Sequence, residues 1–280
     1  MIDPDRHRHV VRVGALVLLL SCAAPRAHAE PASATLDYDW KVDGAITLVG
    51  ALAFATTDTV LKDDLASTTC RWCDGGATLH LNAVDAGVRD ALRWHDLDAA
   101  SQASSVTGFV LVPTVALGVT ALAARHDGRS DEWAPDALVI LESTVLAVDL
   151  NQVVKFAVAR ERPLIHDGRA YPANDANTSF YSGHTKLAFA LAVSAGTVST
   201  LRGYRWAPAV WTSGLVLAGA TGYLRIAGDR HYFTDVMTGA VVGSAVGFAV
   251  PYFFHRVKRS GGPTASADRG AVTVGWSRAW

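Results

Sequence analysis

Apolar residues run on in this chain where a soluble protein would break them up. Six apolar stretches, at about 44–57, 105–124, 137–158, 187–201, 207–224 and 236–254, are separated by short polar or Pro/Gly-marked connections. They are rich in Ala, Val, Leu and Gly and lack the sustained alternation that a half-buried strand needs. The pattern predicts an all-α helical bundle of about six core helices. One strand-like piece, Ala271-Val272-Thr273-Val274-Gly275-Trp276, lies in the tail after Gly262. In the last apolar stretch Gly239, Gly243 and Gly247 recur every four residues, the small-residue face that lets helices pack closely in lipid.

Composition moves that bundle into a membrane. The 280 residues are 50% hydrophobic and 18% charged, with a mean hydropathy of +0.20. Residues 105–124 carry no charge at all and are long enough to cross a bilayer. The third stretch holds Glu142 and Asp149, which in lipid must face the bundle interior. A soluble bundle with buried helices is the alternative. Twenty-five basic residues against 26 acidic ones leave a net charge of −1, which excludes the basic footprint of a nucleic-acid binder.

Residues 1–29 read as an export signal: Arg6, Arg8 and Arg12 precede the apolar run 13–20, and Ala27-His28-Ala29 suits signal peptidase. An uncleaved N-terminal anchor, or acylation of Cys22, are the alternatives. Export changes how Cys70-Arg71-Trp72-Cys73 reads. In an oxidising compartment and a polar, Gly-rich neighbourhood, Cys70 and Cys73 are a disulfide candidate, and a zinc site would want a second pair of ligands. The chain divides into the signal or anchor (1–29), an N-terminal helix and polar loop (30–104), a helical core (105–254) and a basic C-terminal tail (255–280).

Three short motifs carry candidate chemistry. Lys155 and Arg162, seven apart and followed by Pro163, would project from one helix face as an anion clamp, or alternatively snorkel at a membrane surface. Ser182-Gly183-His184 precedes an apolar run, so Ser182 is a candidate N-cap over free backbone N–H groups that suit a phosphate. Simple capping explains it equally well. Arg225 is followed by His231 and Asp235, the last two four apart and hence neighbours on a helix face. An Asp beside a His fixes its tautomer, although a solvated pair has the same spacing.

The ordered set K-x6-R-P, S-G-H, R-x5-H-x3-D, each at the end of an apolar stretch, resembles the signature of the type 2 phosphatidic acid phosphatase superfamily, from about residue 105 to 254. That superfamily also includes class A acid phosphatases and vanadium haloperoxidases. Tyr181 stands where the family usually has Pro, and Leu224 where it usually has Ser; neither change removes a charge or a nucleophile. The resemblance implies a phosphoric monoester or lipid diphosphate hydrolase. In it His231 is the nucleophile that becomes phosphohistidine, Asp235 its orienting carboxylate and His184 the acid–base. Lys155, Arg162, Ser182, Gly183 and Arg225 would bind the phosphoryl oxygens. It implies no metal and no cofactor, a lipid phosphate as substrate, and membrane lipids as surroundings.

Topology adds a location. Arg125, Arg129, Arg202, Arg205, Arg256, Lys258 and Arg259 fall on the side opposite the motifs. The positive-inside rule then places the active site on the periplasmic face of a bacterial inner membrane, provided the short stretch 44–57 does not cross. The alternatives are a soluble periplasmic acid phosphatase, a vanadate-holding haloperoxidase, and a membrane protein without catalysis. His80, His95, His126, His166 and His255 match no motif spacing and read as ordinary surface or interfacial groups. Arg160 and Arg169, close to the first motif, read as solvated loop residues, with binding of a second phosphate or a headgroup as the alternative.

Overall fold

In a computed structural model the described residues are 35–73, 81–256, 263–268 and 271–276. The export signal read at 1–29 lies outside them, as do 257–262 and 277–280 of the basic tail. The helices are α1 Val42–Ala55, α2 Lys62–Leu65, α3 Ala83–Leu92, α4 Leu97–Val106, α5 Val112–His126, α6 Trp133–Val158, α7 Ala173–Ala176, α8 Gly183–Arg202, α9 Ala207–Ala227 and α10 Phe233–Ala249. Strands β1 Pro263–Asp268 and β2 Ala271–Trp276 pair antiparallel, Thr264 opposite Gly275.

The all-α bundle expected from the apolar stretches is what forms. Its six long members are α1, the continuous α4–α5 rod, α6, α8, α9 and α10. Three helical segments are long and apolar enough to cross a membrane: Leu97–His126, Ser130–Val158 and Phe233–Phe254. The second apolar stretch begins eight residues earlier than its composition suggests, because Asp96 caps α4 by accepting from Ala99 N at 2.9 Å. Asn82 caps α3 in the same way through Asp85 N, also at 2.9 Å.

Helix α8 is the axis of the bundle. Ala188, Ala190, Leu191, Ala192, Ala195 and Val198 on it are all buried. Their small side chains let α5, α6, α9 and α10 approach from several sides. The small-residue face of α10 meets α8 directly: a Cβ at Gly239 would lie 2.9 Å from Ser182 O, and one at Gly247 would lie 2.6 Å from Ala190 O. Backbone occupies the space that a side chain would need. Ser182 caps the start of α8, and Gly203, at φ 72°, ends it in the left-handed conformation. The turn at Ser182 and Gly183 is thus one end of the helix that α5, α6, α9 and α10 all pack against.

Arg202, which the sequence placed on the side opposite the motifs, and His255, read as a surface or interfacial group, are both built in. Arg202 is 3% exposed and pairs with Asp136 at 2.7 Å, whose other oxygen accepts from Tyr204 Oη at 2.6 Å. His255 is 3% exposed at the far end of α10.

Gly247→Val will therefore lower stability by about 1–3 kcal/mol, the usual cost of overpacking. Gly219→Ala, where nothing lies within 4 Å of the added carbon, will not lower it and will raise it by up to about 1 kcal/mol, since Ala is the better helix former. Thermal unfolding of detergent-purified protein checks both.

Candidate active site

The three motifs converge at one end of the bundle. Helix α6 ends at Val158 because Ala159 takes a left-handed conformation, φ 48°. Lys155 therefore stays in the last turn of α6, whereas Arg162 lies beyond it in extended chain, just ahead of the tight turn Pro163–Asp167. The expectation that both project from one helix face is corrected: they converge because the chain reverses between them. A Cβ at Gly183 would sit 3.1 Å from Lys155 Nζ, so the ammonium lies over the N-terminus of α8, where free N–H groups point. Ser182 itself is fully buried, its hydroxyl 2.9 Å from Thr185 Oγ1; it holds the turn from beneath.

Arg162 is 4% exposed and aimed by its neighbours. Nε donates to Asp175 O at 2.9 Å, and Nη2 donates to Asp175 Oδ1 at 3.2 Å and Thr178 Oγ1 at 3.1 Å. Burial pushes the Asp175 carboxyl up, but Arg162, Lys62 and Thr178 together hold it well below the usual carboxylate range. Arg225, at the end of α9, is 5% exposed and donates from Nη1 to Ser104 Oγ at 3.1 Å. His184 lies in the first turn of α8, its Nε2 3.4 Å from Ser105 Oγ and its ring 4.4 Å from that of Phe109.

His231 and Asp235 are not stacked on one helix face. His231 precedes α10, and Asp235 sits in its first turn, where Oδ2 accepts from Tyr232 N at 3.0 Å. The shortest contact of His231 Nδ1 is to Ser179 O, at 2.8 Å, with Asp235 Oδ2 at 3.7 Å. The carbonyl accepts the Nδ1 proton and so fixes the tautomer; Asp235 adds a nearby negative charge. The lone pair is then on Nε2, which accepts from Arg162 Nη1 at 3.2 Å. Burial, with Arg162, Arg225 and Lys155 around the ring, holds His231 well below its ordinary pKa, so the imidazole is neutral.

Sequence reasoning missed Arg160. Read as a solvated loop residue, it is wholly buried. Nη1 donates to Asp235 Oδ1 at 2.7 Å and to Thr234 Oγ1 at 2.8 Å, and Nη2 donates to Asp85 Oδ2 at 2.9 Å. Its guanidinium lies 4.3 Å from the Trp72 ring centre and 4.1 Å from that of Tyr232. The structure joins Cys70 and Cys73 as a disulfide with Cα atoms 5.4 Å apart. Arg71 N donates to Ala159 O at 3.0 Å and Glu161 N to Trp72 O at 3.2 Å, which seats that loop against the turn carrying Arg160.

Lys155, Arg162, Gly183, His184, Arg225 and His231 all line one cavity of about 620 Å³. From this charged end it runs on between α1, α6 and α8 along Ala51, Phe54, Phe109, Val145, Val148 and Leu187. The arrangement suits an anion with an apolar extension: three cations and a helix N-terminus at the head, hydrocarbon along the body.

Residues 136–259 match the family model described as the PAP2 superfamily, and the resemblance drawn from the three motifs is borne out. Over 122 residues the chain is 40% identical to a protein of Porphyromonas gingivalis described as lipid A 1-phosphatase. That stretch is 44% of this chain and 24% of the relative, so the match spans about a quarter of the relative's length. Among solved structures, a transmembrane PAP2-type phosphatidylglycerolphosphate phosphatase from Bacillus subtilis is 18% identical, with 76% of this chain and 94% of that one covered at a TM-score of 0.44.

Two outcomes follow from the site's electrostatics. Arg160→Leu leaves Asp85 and Asp235 buried and uncompensated, and will cost about 3–5 kcal/mol in unfolding measurements. The neutral His231 gives a pH dependence. Below about pH 6.5 the unfolded chain takes up a proton that the folded site refuses, so stability from this ring is lost as pH falls. Between pH values near 7.5 and 5.5, wild type will lose about 1 kcal/mol more than His231→Gln.

Proposed function

With residues 136–259 assigned to the PAP2 superfamily, we propose that the protein is a metal-independent phosphatase that hydrolyses the phosphate or diphosphate monoester end of a lipid through a phosphohistidine. The observation that carries this reading is the single cavity that joins the cationic head, with the two imidazoles, to an apolar body. The lipid A 1-phosphatase relative supports a lipid as substrate.

The lipid's phosphate enters between Lys155, Arg162, Arg225 and the N–H groups at the start of α8. Burial and the surrounding cations hold His184 well below its ordinary pKa; the arriving phosphate's negative charge offsets those cations and lets His184 take up a proton. His231 Nε2 attacks phosphorus in line, and the bond from phosphorus to the lipid oxygen breaks as the protonated His184 gives that oxygen its proton. A water molecule then attacks the phosphohistidine while His184 takes the water's proton. Inorganic phosphate leaves, and His231 is neutral again. Asp235 and Ser179 O stabilise the ring as it becomes positive. The fixed cations hold charge where it develops in the transition state. The lipid's chains lie along Phe54, Phe109, Val145 and Leu187. We place this end of the bundle on the periplasmic side of the inner membrane, since Arg125, Arg129 and Arg205 lie at the opposite helix ends and the Cys70–Cys73 loop lies at this one.

Detergent-purified wild type, assayed with EDTA on a panel of lipid phosphates, lipid diphosphates and soluble phosphates, will release phosphate from the lipids. His231→Ala will release it at least about 10³-fold more slowly while unfolding at the same temperature. Equal rates in the two proteins would overturn the nucleophile. Hydrolysis of soluble esters alone would replace the lipid reading with a periplasmic acid phosphatase.

A further inference from the structure

Asp43, Glu142 and His255 meet at the end of the bundle away from the cavity. Twenty residues of α10 and its continuation separate Asp235 from His255, about 30 Å of helix. The three side chains come from the first turn of α1, the middle of α6 and the residue after Phe254. They are 8%, 5% and 3% exposed, and one ligand atom from each lies within 4.8 Å of the others.

The cluster sets two carboxylates against one imidazole. His255 Nδ1 donates to Asp37 O at 2.8 Å, which leaves the lone pair on Nε2. That lone pair faces Glu142 Oε2 at 3.2 Å. A neutral ring leaves neither atom a hydrogen-bond partner, and a protonated ring makes the contact an ion pair. Asp43 commits Oδ2 to Asp39 N at 2.7 Å. Among the described residues, no Lys or Arg pairs with either carboxylate; His255 is the one basic group recorded against Glu142. Asp37 and Asp39, on the rim, add negative charge only. One proton on the ring offsets one of the two carboxylates and leaves the cluster with a net negative charge. A divalent cation compensates both carboxylates and takes the imidazole lone pair at once. Two carboxylate oxygens and one imidazole nitrogen are a ligand set that divalent transition metals accept, with the remaining position open to water. A cavity of about 470 Å³, lined by Asp37, Asp39, Asp43, Glu142 and His255, leads to the three atoms.

We propose that Asp43, Glu142 and His255 bind a divalent transition-metal cation, for which zinc is the probe, and that the metal ties the segment before α1 to α6 and to the end of α10. The tie extends contacts already present: Asp37 N donates to His255 O at 2.8 Å, and Leu36 bridges to Arg256. The site is independent of the phosphatase reading and takes no part in that reaction.

The test uses the full chain in detergent. Wild type incubated with excess zinc and desalted will retain one zinc per chain by elemental analysis, and its unfolding temperature will rise with zinc and fall back with EDTA. Glu142→Gln and His255→Ala will each weaken zinc binding at least about tenfold, whereas His95→Ala, at an exposed histidine, will bind as wild type does. Wild type that retains no zinc, or whose unfolding is indifferent to it, overturns the proposal and leaves a protonated His255–Glu142 ion pair. The wild-type measurement decides this even where a variant fails to fold. Phosphate release, read separately, will be the same with zinc or EDTA over the time of an initial-rate assay, so loss of one reading does not entail loss of the other.

Discussion

The end of the bundle that carries the three motifs hangs on one buried guanidinium. Arg160 has no solvent contact, lies between the rings of Trp72 and Tyr232, and holds Asp85 on one side and Asp235 on the other. Those four partners come from the disulfide loop, α3, the residue before α10 and α10 itself. A buried ion triad is not in itself a source of stability, because desolvation offsets much of the attraction. Its effect is on specificity: any arrangement that separates these four segments strands a charge in a low-dielectric interior. The position of Asp235 beneath His231 is thus set by an arginine that touches no part of the cavity.

Around that point the bundle solves a packing problem and an electrostatic one together. Helix α8 carries Ala and Gly where its neighbours cross, so backbones meet closely and the cationic turn at its start is held at one end of a rigid rod. Outward faces carry Val49, Leu52, Val110, Val153 and Val241, all more than half exposed, as lipid-facing surfaces do. Polar clusters lie at both ends: the motifs at one, and the pairs Asp136–Arg202 and Glu142–His255 at the other.

How much of this was readable beforehand divides along one line. The helices were legible because apolar runs report burial locally, and the motif residues because each is anchored by its immediate neighbours. Arg160 gave no such sign: its role depends on Asp85, 75 residues earlier. His255 was misread for the same reason, since its partners are Asp37, in the segment before α1, and Glu142 on α6. The reversal at Ala159 was hidden too. A non-glycine residue in the left-handed region leaves little trace in composition, and spacing alone put Lys155 and Arg162 on a common face. Spacing also joined His231 directly to Asp235, when a carbonyl on a distant loop, that of Ser179, is the closer partner.

The contact between Arg162 Nη1 and His231 Nε2 has a consequence for the order of events. In the resting protein the lone pair that the proposed chemistry uses is already taken by a donor. The same guanidinium is among the groups that an arriving phosphate would recruit. The ring is therefore released by the very molecule it is to attack, and stays masked towards electrophiles that lack the charge to draw Arg162 away. Selectivity on this scheme begins with a competition for one arginine, ahead of any fit to the hydrocarbon channel.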